Sequence, residues 1–73
     1  MKLARIQAEL AEAEKRVVQG EVHLASQQEL VERHRSAGRA CGPSEELLEL
    51  LQRTLALLIE DRDRLRAGLK RLT

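Results

Sequence analysis

The chain has 73 residues, 42% hydrophobic and 34% charged, with thirteen Lys+Arg against twelve Asp+Glu, and no Trp, Tyr or Phe. Abundant Leu, Ala, Glu and Arg with few β-branched residues exclude an all-β fold, and the apolar content is too high and the net charge too low for a disordered tail. One domain is all this length allows, its core must be aliphatic, and a formal charge of +1 provides no field to draw in nucleic acid or anionic lipid.

The first predicted element is a long helix over residues 2–37. Its seam repeats every seven residues: Leu3, Leu10, Val17, Leu24 and Val31 in one position, with Ile6, Ala13, Gly20, Gln27 and His34 in the other. The second set runs from apolar through small to polar. Arg33, His34 and Arg35 put positive charge in the last turn, where the helix dipole favours it. Punctuation then concentrates in residues 36–44, with a turn expected over 38–43. Gly38 is a natural left-handed stop and Pro43 or Ser44 a natural start.

A second helix follows over residues 44–72, opened by Glu45, Glu46 and Glu49 and closed by Arg66, Lys70 and Arg71. Its seam holds Leu48, Leu55, Arg62 and Leu69 in one position and Leu51, Leu58, Leu65 and Leu72 in the other, so seven of eight are Leu. The expected fold is all-α: an antiparallel helical hairpin, folded at the turn, with Leu24 near Leu55, Leu10 near Leu69, and Gly20 giving room to Leu58. A glycine there costs about 1 kcal/mol of helix propensity against Ala, so a packing reason is expected. Acid-first pairs at i, i+4 (Glu12–Arg16, Glu29–Arg33, Glu49–Arg53, Glu60–Arg64) should lace the surface.

A single hairpin leaves apolar residues uncovered. Leu47, Leu50, Leu57 and Ile59 lie off the second seam, and Val18, Val22, Ala25 and Leu30 off the first. With one cysteine there is no internal disulfide to compensate for a small core. The expectation is self-association into a four-helix bundle or coiled-coil oligomer, a homodimer first, with Leu47, Leu50, Leu57, Ile59, Val18 and Val22 as its interface. A hairpin docking on a larger protein is the alternative partner.

Chemistry-bearing residues are sparse. His23 and His34 stand eleven apart, about three turns, too far to share an ion within one chain, although an oligomer could combine either with Cys41. His23 and Ser26 at i, i+3 have no oxyanion hole or cleft near them. Cys41, in the turn, reads as a small packed residue rather than a reactive thiol. No enzyme, cofactor or metal is expected. Arg62 either pairs across the hairpin with Glu14 or Glu21 or lays its stem over the seam with its guanidinium in water. Gln27 invites the same two readings.

The basic end (Arg62, Arg64, Arg66, Lys70 and Arg71, with Lys2 and Arg5 alongside) could touch phosphates, which makes a small nucleic-acid-associated regulator the alternative function. Interleaved Glu60, Asp61 and Asp63 and the lack of stacking aromatics argue instead for a solvated charged face. No apolar run approaches the roughly 20 residues of a membrane span, and residues 1–5 lack a signal-peptide core, so a cytoplasmic address is expected.

Together Gly20-Glu21-Val22-His23-Leu24, Gln28-Glu29-Leu30-Val31, Leu47-Leu48 and Arg62-Asp63-Arg64-Leu65 resemble the pattern of a group of short two-helix bacterial proteins, mostly α-proteobacterial. That resemblance implies the two-helix fold and carries no activity over to this chain. The turn departs from it, with Ala40-Cys41-Gly42-Pro43 where an acidic turn is usual.

Overall fold

The computed structural model describes residues 2–73. Two helices run antiparallel, α1 over Lys2–Ser36 and α2 over Gly42–Leu72, and among the described residues there is no strand. The hairpin measures 55 × 14 × 13 Å. At about 1.5 Å per residue the 35 residues of α1 account for its whole length.

Both helix ends follow from local chemistry. Gly38 adopts φ +69°. Its N–H donates to the Arg35 carbonyl at 3.1 Å, and the Arg39 N–H reaches back to the His34 carbonyl at 2.9 Å. This pair of crossed bonds is the Schellman closure, which requires a left-handed residue that glycine alone adopts without a Cβ penalty. α1 therefore stops one residue earlier than the sequence suggests. α2 starts two residues earlier than expected, at Gly42, with Pro43 in its first turn and Cys41 at the cap position. Pro43 loses nothing there, because the first helical N–H groups have no intrahelical acceptor. The Glu45 N–H donates to the Cys41 carbonyl at 2.8 Å and closes the first turn.

The helices pack through the heptad seams. Leu10, Ala13, Val17, Gln27 and Val31 of α1 are buried. Gly20 and Leu24 are half-buried, as are Leu48, Leu51, Leu55, Leu58, Arg62, Leu65 and Leu69 of α2. Gly20 fixes the register. A Cβ built on it would lie 3.1 Å from Leu55 Cδ1 and 3.4 Å from Leu58 Cδ1, so the glycine makes the room that these two leucines occupy.

The burial is one-sided. α2 has no buried residue at all, and among the described residues no side chain is fully enclosed. The chain exposes 5639 Å². A compact monomer of 8.3 kDa exposes about 4,600 Å² by the usual mass scaling, leaving a surplus of about 1,000 Å².

Candidate interaction surface

The side chains that do not serve the seam sort onto two flanks. On one flank two cross-hairpin ion pairs link the helices: Arg35 to Glu45 at 2.9 Å near the turn and Arg66 to Glu14 at 3.5 Å near the open end. On the other flank lies a shallow groove, walled by Arg16, Gln19 and His23 of α1 and by Leu51, Thr54 and Leu58 of α2, with Gly20 in its floor.

The six apolar residues expected to form one interface do not share a face. Leu47, Leu50 and Leu57 are 45%, 51% and 66% exposed. They stand with Thr54 at successive spacings of three, four and three, so they belong to the groove flank. Ile59 is half-buried and lies one heptad from Arg66, on the ion-pair flank. At 100° per residue it points about 160° away from Leu57, which separates two positions grouped as lying off the seam. Val18 and Val22 are 59% and 58% exposed but sit elsewhere: Val18 one turn after Glu14 on the ion-pair flank, Val22 toward the back of α1.

Arg62 does not pair across the hairpin. Its guanidinium turns out to Asp63 at 3.0 Å while the side chain stays only 23% exposed, so the stem covers the seam and the charge reaches solvent. Glu14 is taken by Arg66 instead. Of the expected i, i+4 pairs, Glu12–Arg16 closes at 3.8 Å, whereas Arg64 prefers Asp61 at 3.8 Å. Glu29–Arg33, Glu49–Arg53 and Glu60–Arg64 do not close among the described residues.

Sequence reasoning missed the clamp at the turn. Buried Gln27 donates from Nε2 to the Ser44 carbonyl at 2.9 Å, and His34 Nδ1 shares a hydrogen bond with Ser44 Oγ at 3.1 Å. Ser44 thus holds α1 to the first turn of α2 rather than capping that helix. The signal was present in the seam, whose α1 positions turn polar towards the loop. Beside this clamp, Cys41 Sγ donates to Glu45 Oε1 at 3.1 Å, and Arg35 grips the same carboxylate. The hydrogen bond to Glu45 raises the Cys41 thiol above its ordinary pKa, with burial adding to it. The same bond, followed by Arg35, lowers Glu45. A thiol held protonated is a weak nucleophile.

His23 is exposed on the groove wall, and no hydrogen bond joins it to Ser26 among the described residues. No three His, Cys, Asp or Glu side chains among the described residues converge as a metal site would require. At the open end Arg5 pairs with Glu9 at 3.4 Å, and Arg64 and Arg66 are likewise engaged by carboxylates. No helix of the described residues is long and apolar enough to cross a membrane. No family model, curated protein or solved structure matches the chain.

Proposed function

We propose that this chain is a non-enzymatic interaction module that pairs with a second copy of itself, in a cytoplasmic setting, through the leucines left outside the hairpin seam. The observation that carries this reading is the one-sided burial: α2 carries a leucine heptad and three further exposed leucines, yet contains no buried residue. Surplus surface of about 1,000 Å² is close to the roughly 800 Å² that each partner contributes to a standard protein interface. Exposed leucines recurring on one side of a helix are a usual mark of an association site. The nucleic-acid alternative draws less support, because Arg5, Arg62, Arg64 and Arg66 each pair with a carboxylate, which leaves Lys2, Lys70 and Arg71 as the cations of that end without an ion pair among the described residues.

The test is the dependence of thermal unfolding on concentration, followed by circular dichroism at 222 nm. For a dimer whose chains unfold as they separate, an unfolding enthalpy of roughly 0.7 kcal/mol per residue gives a midpoint about 10 °C lower on 100-fold dilution. A midpoint that does not move would overturn the reading.

A further inference from the structure

The arrangement of the pair can be read from how apolar and charged residues divide along one flank; this step rests on the self-association just proposed. On α2 the stripe at positions 47, 50, 54, 57, 61, 64, 68 and 71 reads Leu, Leu, Thr, Leu in its first half and Asp, Arg, Gly, Arg in its second. The change of character is equally sharp in space. Beside Thr54 the α1 wall offers Gln19 and His23, and Leu30 continues it one heptad nearer the turn. Beside Asp61 it offers Glu9, Glu12 and Arg16, and beside Arg71 it offers Lys2 and Arg5. On α2 the half of the flank nearest the turn is apolar and the α1 wall beside it is mostly polar apart from Leu30, whereas the open half is charged on both helices.

Two symmetric packings of this flank on its copy are possible. With the two-fold axis along the hairpin, α2 lies over the partner's α1, so Leu50 meets Ser26 and Leu30 while Leu57 meets Gln19 and His23. With the axis across the hairpin at Thr54, α2 lies antiparallel on the partner's α2. Leu50 then meets the partner's Leu57, and Leu57 meets the partner's Leu50. Their sequence numbers sum to 107, which places the axis between residues 53 and 54. The overlap covers about 24 residues of α2, or roughly 36 Å, so Asp61 and Arg64 fall at its edge while Arg71, with Lys2, Arg5, Glu9 and Glu12 of the α1 wall, projects beyond the partner. Only the second packing covers Leu57 as well as Leu50 with leucine and leaves Arg71, Lys2 and Arg5 in water.

We propose that two hairpins pack antiparallel, groove flank on groove flank, about a two-fold axis beside Thr54, with Val18, Val22 and Ile59 outside the interface. The test is pulsed electron–electron distance measurement on spin-labelled single cysteines, Thr54→Cys and Arg71→Cys, each with Cys41→Ser. Labels at position 54 should lie within about 20 Å, given helix axes 8–10 Å apart plus the label arms. Labels at position 71 should lie about 50 Å apart, from 35 residues of intervening rise. A position-71 distance near that of position 54 would overturn the antiparallel packing, and a long position-54 distance would move the interface to another flank. In both cases the dimer itself would stand. Monomeric protein without dipolar coupling at either site would overturn the self-association as well. Because labels at the axis can disturb packing, Leu50→Glu and Val22→Glu supply an unlabelled check. The first should reduce the solution mass to that of one chain, the second should leave it unchanged, and the reverse pattern would overturn the assignment.

Discussion

Truncating Leu57 to Ala separates intrachain packing from association. Leu57 is 66% exposed in the hairpin, so only a third of its side chain is buried within its own chain. Full burial of a leucine contributes about 1.5–3 kcal/mol, so a lone hairpin loses at most about 1 kcal/mol, partly offset by the better helix propensity of Ala. In the symmetric pair the exposed two-thirds is covered twice, once in each chain. The dimer then loses about 2–4 kcal/mol, which weakens the dissociation constant by about 30- to 700-fold. Sedimentation equilibrium with interference optics reads this directly, since the chain has no Trp or Tyr to absorb. Val22→Ala is the matched control: almost as exposed, but on the back of α1, it should leave the constant unchanged. A Leu57→Ala variant within threefold of the parent, or a Val22→Ala variant equally weakened, would refute the assignment of the surface.

Gly20→Leu should lower stability by about 1–3 kcal/mol, seen as a lower melting midpoint, because even a Cβ there presses on Leu55; an unchanged midpoint would mean that the helices are not in this register. The Arg66–Glu14 pair is exposed, so a double-mutant cycle in thermal melts should give a coupling below about 1 kcal/mol; a larger value would mean that it is shielded from water. Cys41 should react with iodoacetamide at pH 8 more slowly than an unstructured cysteine, and Glu45→Gln should speed it. The carboxylate favours the protonated thiol, so its removal lowers the thiol pKa and enlarges the thiolate fraction. Equal rates in the two proteins, read by intact mass, would show that the contact does not form in solution.

The hairpin was legible because its signals agree. The leucines of α2 keep one spacing from Leu48 to Leu72, and Gly38 supplies the positive φ that the Schellman closure needs. Register was legible from Gly20, a small seam residue whose added Cβ would press on Leu55 and Leu58. The start of α2 shifted by two residues: Ser44, the obvious cap, instead binds His34 and accepts from Gln27 across the hairpin. A partner across the hairpin is invisible to local capping rules. The candidate interface was harder to read. Residues close in sequence, Leu57 and Ile59, are far apart around the helix, and only the positions of the groove and the Glu14–Arg66 pair show which flank each occupies. Arg62 had a carboxylate as its immediate neighbour, so a reach across the hairpin to Glu14 had a nearer competitor in Asp63.

The claim that the outer leucines of α2 are covered by a second copy is tested most directly by the solution mass, measured by light scattering after size exclusion with refractive-index detection. The expected result is twice 8.3 kDa, held across a dilution series down to the dissociation constant. A fully helical chain at 8.3 kDa at every concentration would contradict it.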